Sequence, residues 1–135
     1  MAQAQMRRAI ESGVPDNQQY LHPLLKKNYG NWRYHDRPRP GVLHHVAHGG
    51  DEVWTVRAGT QRQMDVFTIR RLCDIADQYA EGHVRFTIRS NIEFMLSSEA
   101  KVAPLIAELE KSGFPVGGTG NSVSMIAHTQ GWLHC

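Results

Sequence analysis

Between His83 and Leu96 apolar and polar residues alternate with a period of two, and this stretch constrains the fold more than any other. Val84, Phe86 and Ile88 fall on one face of a strand, with Arg85, Thr87 and Arg89 on the other. Ser90-Asn91 supplies a tight turn in which the asparagine tolerates positive φ, and Ile92, Phe94 and Leu96 continue the apolar face into a second strand. A hairpin with one apolar face needs cover. The flanking sequence offers two helices. Asp65 caps the first, whose apolar positions Ile69, Leu72, Cys73, Ala76 and Tyr79 recur at helical spacing until about Gly82, with Cys73 a small core residue on the buried stripe. Ser98 caps the second, carrying Val102, Leu105, Ile106 and Leu109; Pro104 is tolerable in its first turn, and Gly113 closes it.

A further hairpin precedes these elements, with strands Val42 to His48 and Val53 to Arg57 around the turn Gly49-Gly50-Asp51. After the glycine-rich Pro115 to Gly120, Asn121 to Ala127 reads as a last strand. From Val53 the order is strand, helix, strand, strand, helix, strand. This is an α+β, ferredoxin-like arrangement, an antiparallel sheet with two helices on one face, here with an extra strand at Val42. The far face is left to a ligand, a partner domain or that extra strand. Residues 1–40, interrupted by Pro15, Pro23, Pro38 and Pro40, read as an extended arm, and 41–135 as the domain proper.

Length and composition fit one modest core, with 135 residues of which 41% are hydrophobic. The apolar runs are only a few residues long, far from the about 20 that a membrane span needs. Arg7 and Arg8 have no apolar stretch behind them, so Met1 to Gly13 lacks the body of a secretory signal, and a cytoplasmic protein is expected. Two cysteines in unlike settings, Cys73 and Cys135, do not make a disulfide scaffold. A net charge of +2 names no partner, although eight histidines add positive charge as pH falls through about 6.5.

Three arginines stand out. Arg57 ends its strand before Ala58-Gly59, while Arg85 and Arg89 share a strand face. In the expected topology the Val53 and Val84 strands run parallel in one sheet, which lets the three converge. A guanidinium presents a permanently charged planar fork suited to carboxylates and oxyanions. At about 4 Å and an effective dielectric near 20, each opposite charge gains roughly 4 kcal/mol before desolvation. The bland alternative is a solvated strand face. Gly117, Gly118 and Gly120 shift the balance, because a flat ligand can approach their backbone and free amides there can bind anionic groups.

Other constellations are weaker. His44 and His48 face one side of their strand and His45 the other, which does not make a compact metal site. His128 and His134 lie near Cys135 without completing a zinc or cluster spacing. No Ser-His-Asp or paired-carboxylate pattern supports hydrolysis. The basic and aromatic run Lys26 to Tyr34, with Arg85 and Arg89, leaves open an RNA-binding sheet, but the arginine face lacks the usual stacking aromatics. A subunit-assembly module is a third reading.

Several segments together resemble the beta-subunit family of dissimilatory sulfite reductases. They are Lys27 to Trp32, Pro40-Gly41-Val42, Thr55 to Gly59, Cys73 to Asp77, Arg85 to Phe94, Gly117 to Asn121 and Trp132-Leu133-His134-Cys135. The resemblance covers almost everything after Leu24. It implies a heterotetramer of two alpha and two beta subunits, a small sulfur-carrier protein as a further partner, and sirohaem coupled to a [4Fe-4S] cluster. The reaction it implies is the six-electron interconversion of sulfite and sulfide. Cys135 matches the first cluster cysteine of the family, whose other three lie farther along, so the chain resembles a fragment inactive alone. Arg57 matches an arginine that points at the sirohaem and its anion, and Arg85, Arg89 and Asn91 match a cofactor-lining turn. Gly118, Thr119, Gly120, Asn121 and His128 complete the implied cofactor-binding set. The sequence departs from the family pattern at Ser122 to Met125, where active chains carry a further arginine.

Overall fold

The computed structural model describes residues 18–61 and 63–120. Among them, five strands form one antiparallel sheet in the order β1-β2-β3-β5-β4. These are β1 (Trp32–Arg39), β2 (Val42–Ala47), β3 (Glu52–Gly59), β4 (Val84–Phe86) and β5 (Asn91–Leu96). The helices are α1 (Pro23–Lys27), α2 (Val66–Tyr79) and α3 (Val102–Lys111), the last preceded by a 3-10 turn at Glu99–Lys101. The order β3-α2-β4-β5-α3 is that of a ferredoxin-like half domain; the closing strand expected at Asn121 to Ala127 lies outside the described residues.

Side-chain caps mark the start of α2 and of the 3-10 turn that leads into α3, while α3 itself starts without one. The Asp65 carboxylate accepts from the Thr68 amide at 2.7 Å, and the Ser98 hydroxyl accepts from the Ala100 amide at 3.3 Å. Leu72, Ile75 and Ala76 of α2 and Val102, Leu105 and Leu109 of α3 pack on Trp54, Val56, Ala58, Ile92, Phe94 and Leu96. Each such large side chain, once buried, contributes about 1.5–3 kcal/mol. Cys73 does not join them: it is exposed, because the buried stripe runs through Leu72, Ile75 and Ala76 and the next residue sits about 100° round the helix.

Three other expectations need correction. The hairpin at Val84 is shorter than the alternation suggests: β4 ends at Phe86, and Phe86 and Ile88 are 64% and 98% exposed. As the sheet's edge, β4 has core to pack against only at its start, and Thr87 to Ser90 turn away; Ser90, not Asn91, takes the positive φ of 58°. The extra strand β2 does not cover the far face either. It pairs with β3, with Val42 opposite Val56 and His45 opposite Val53. Finally, part of the stretch read as an arm is built into the sheet, since β1 pairs with β2. Pro38 fits there because β1 is an edge strand, where a missing donor costs no ladder bond, and Pro40 falls in the turn into β2.

The sheet's two faces therefore differ. One carries α2 and α3. On the other, α1 touches β3, and the chain around it is tied down by the Asn28 amide to Asp51 at 2.8 Å and by His22 to Glu81 at 2.9 Å. Val53 and Met95 point away from the long helices and yet are buried. The remaining part of that face, toward Arg57, is open.

Candidate anion-binding face

A row of three charges crosses the open face. Arg57 of β3 lies opposite Glu93 of β5, and Glu93 lies opposite Arg85 of β4. The β3 and β4 strands run in the same direction, as the sequence suggested, but β5 lies between them and puts a carboxylate where two arginines meet. Glu93 Oε2 accepts from Arg57 Nε and Oε1 from Arg85 Nη2. The Glu93 side chain is 1% exposed, against 20% for Arg57 and 53% for Arg85. Sequence reasoning missed Glu93; its one visible signal was a charged residue inside an otherwise apolar strand, Ile92 to Leu96.

The backbone of Arg57 is held from its free side. Its amide donates to Gly41 O at 2.7 Å, and its carbonyl accepts from the Gly117 amide at 3.0 Å. One edge of β3 is thus shared, β2 pairing along its first part and the segment Pro115 to Gly117 along its end, where the Gly59 amide donates to Pro115 O at 2.8 Å. Gly41 sits at the junction with φ +79°, and a Cβ there would lie 2.6 Å from Val116 Cγ1. Only glycine satisfies both demands.

The glycine-rich segment acts differently from the expectation of free amides. The Gly117 amide is spent on Arg57, while the carbonyls of Gly118 and Gly120 accept from Arg89 Nη2 and Nη1 at 2.9 and 3.3 Å. Thr119 Oγ1 accepts from the Gly41 amide at 3.0 Å. Arg89 therefore does not stand on the Arg85 strand face. It reaches from the Thr87 to Ser90 turn across to the glycines, which lock it in place. Arg37 of β1, absent from the sequence reading, approaches Gly120 so closely that a Cβ there would meet its guanidinium.

Together His35, Arg37, Leu43, His45, Arg57, Arg89, Thr119 and Gly120 enclose an open cavity of about 430 Å³. Among the described residues Arg37 and Arg89 form no ion pair. Burial holds His45 below the usual histidine value, with His35, Arg85 and Arg57 adding to the effect against the pull of Glu93, so its ring is neutral at pH 7. Asn91, opposite Gly59 at the start of β5, is 1% exposed, and neither its Oδ1 nor its Nδ2 has a hydrogen-bond partner. Such a buried orphan amide costs roughly 1–3 kcal/mol unless something satisfies it. The guanidinium forks of Arg37, Arg57 and Arg89 that line the cavity suit a ligand with several carboxylates or oxyanions. Of the expected site residues, Arg57, Arg89, Thr119 and Gly120 line the cavity and Arg85 adjoins it through Glu93. Asn121, His128 and Cys135 lie outside the described residues.

The histidines of β2 separate as the alternation requires. His44 stacks on Trp54 on the helix side with centroids 4.1 Å apart, and His45 pairs with His35 on the open face at 5.9 Å. Among the described residues no group of three or more His, Cys, Asp or Glu side chains could hold a metal ion, and no helix is long and apolar enough to cross a membrane.

Comparison with known proteins agrees with this architecture. The family described as nitrite/sulfite reductase ferredoxin-like half domain matches residues 45–112. The chain is 48% identical over 130 residues to the dissimilatory-type sulfite reductase subunit beta of Archaeoglobus fulgidus, covering 91% of this chain and 36% of that protein. It is 47% identical to the same subunit of Nitratidesulfovibrio vulgaris, covering 95% and 35%, and 47% identical to that of Megalodesulfovibrio gigas, covering 87% and 47%. The chain thus spans about a third to a half of the length of these relatives.

Proposed function

Because the chain belongs to the nitrite/sulfite reductase ferredoxin-like half-domain family, we propose that it forms part of a dissimilatory sulfite reductase beta subunit and that its basic sheet face is one wall of a sirohaem site. The observation that carries this reading is the convergence of Arg37, Arg57 and Arg89 on one cavity. A macrocycle edged with carboxylates meets guanidinium forks there, and the fit is chemical rather than volumetric. About 430 Å³ lies at the low end of what encloses a drug-sized ligand, so this half supplies a wall and the rest of the parent subunit and its partner supply the remainder.

Within that wall, Arg57 and Arg89 bind and orient carboxylates, Gly118 and Gly120 hold Arg89, and Thr119 ties the glycine segment to Gly41. Asn121 and His128 are further cofactor-binding residues on this reading, and Cys135 provides the first ligand of a [4Fe-4S] cluster whose remaining cysteines lie farther along the parent chain. When bound, sirohaem and its cluster would relay electrons between an external redox partner and the sulfur atom, six in all for the interconversion of sulfite and sulfide. The parent assembly is an α2β2 complex in the cytoplasm, served by a small sulfur-carrier protein, and this portion alone is inactive. An RNA-binding sheet is disfavoured, because the residues that line the cavity include no Phe, Tyr or Trp on which bases could stack.

Uroporphyrin, an iron-free octacarboxylate macrocycle, tests the wall directly by fluorescence titration of this chain. Binding that weakens about tenfold, or about 1.4 kcal/mol, in Arg57→Gln and in Arg89→Gln is the expected result. Absence of binding, or binding indifferent to both substitutions, sinks the reading. For Cys135, the parent subunit is expressed with its partner, and Cys135→Ser is expected to lose non-haem iron; unchanged iron removes the ligand assignment.

A further inference from the structure

A buried carboxylate beneath a surface that collects anions is electrostatically the wrong charge. At 1% exposure Glu93 repels any anion on the open face, and solvent screens it little. Apolar or amide residues of similar size would fill the position without that repulsion. What Glu93 does provide is geometry. Each of its oxygens takes one guanidinium, Oε2 the Nε–H of Arg57 and Oε1 an Nη–H of Arg85, and its own backbone is fixed on both sides by the pairing of Arg57 and Arg85 across β5. Contact through Nε engages the inner edge of the Arg57 fork and leaves both Nη groups for the cavity. With the Arg57 amide and carbonyl clamped by Gly41 and Gly117, main chain and side chain are both immobilised before any ligand arrives. Preorganised donors lose less entropy on binding than a free arginine does.

On the reading that this face takes a polycarboxylate, we propose that Glu93 is the positioning residue of the site, setting the guanidinium planes of Arg57 and Arg85 so that their outer donors face the ligand. Charge and geometry predict opposite signs for one substitution. Glu93→Gln adds one positive charge to the face, so a merely electrostatic Glu93 would give tighter anion binding once removed. A positioning Glu93 gives weaker binding despite the added charge. Glu93→Asp makes the complementary change: it keeps the charge but is one methylene too short to reach both arginines.

Uroporphyrin affinity is measured for the wild-type chain, Glu93→Gln and Glu93→Asp across a range of salt concentrations, with thermal melts in parallel. Both variants are expected to bind about tenfold more weakly and to show a shallower salt dependence, since fewer guanidinium contacts form. A variant that is only partly unfolded would instead lose binding amplitude at the wild-type salt dependence. Tighter or unchanged binding by Glu93→Gln, or wild-type binding by Glu93→Asp, overturns the proposal. Should Glu93→Gln fail to fold, Glu93→Asp, which keeps the buried charge paired, decides the matter alone. A wild-type chain that binds no uroporphyrin sinks the reading of the face itself, whereas wild-type binding with an indifferent Glu93→Gln sinks only the role of Glu93.

Discussion

Glu81 shows how much one side chain can gather. It takes φ +57° just after α2, a backbone state that costs a non-glycine residue about 1–2 kcal/mol. Its carboxylate accepts from Lys101 Nζ at 2.5 Å, from the Ser97 amide and hydroxyl, and from His22 Nε2 at 2.9 Å. The Leu24 amide donates to the other ring nitrogen of His22, Nδ1, which orients the ring with Nε2 toward Glu81. Partial burial opposes ionisation, but Lys101, Ser97 and His22 outweigh it and hold the carboxyl at about 2, against an ordinary 4.5. A depressed folded value means that the stabilisation is complete above about 4.5 and is lost as pH falls toward about 2. Solvent screening at a side chain 29% exposed limits the effect to about 1–2 kcal/mol. In Glu81→Gln this share of the acid sensitivity is expected to vanish: thermal melts between pH 4.5 and 2 should fall less steeply than in the wild type. Parallel curves would show that ionised Glu81 adds nothing to stability over this range.

At the scale of elements, the junction of β2, β3 and the Pro115 to Gly117 segment decides whether Arg57 is presented at all. Gly41→Ala puts a methyl 2.6 Å from Val116 Cγ1 and 2.7 Å from the Gly117 nitrogen, at a φ that alanine disfavours. The expected cost is about 1–3 kcal/mol. Hydrogen exchange should reveal it locally, with the Gly117 and Gly59 amides losing protection while the β3–β5 ladder keeps its own. Uniform loss across the sheet would mean that the junction is part of the global fold rather than a local clamp. The same scale explains the Val84 hairpin. Alternation in the sequence records which side chains can share a face, not how far a strand is paired, and an edge strand with core beneath only its first residue stops early.

For the molecule as a whole, the two faces of one sheet divide the work. The helix face holds the chain together, with Phe94 at its centre and 0% exposed. Phe94→Ala is expected to cost about 3–5 kcal/mol and to abolish cooperative melting near ambient temperature, as seen by circular dichroism. A loss below about 1 kcal/mol would show that the core closes over the gap. The opposite face is open toward Arg57 and carries the charges of Arg37, Arg57, Arg85, Arg89 and Glu93.

The amino-acid sequence by itself determined the element order from β2 to α3, the Asp65 cap of α2, the Ser98 cap of the turn before α3 and the hairpin around Gly49-Gly50-Asp51, because caps, turns and periodicity are local properties written in neighbouring residues. Tertiary structure decided the rest. Arg37 enters the site from an edge strand about 80 positions from the glycine it approaches, Glu93 meets two arginines only across strand registers, and Cys73 misses the core by one helical step. Those outcomes depend on how strands pair and helices rotate in packing, and pairing between distant segments is settled by the shared burial of the sheet face rather than by any residue's own neighbourhood.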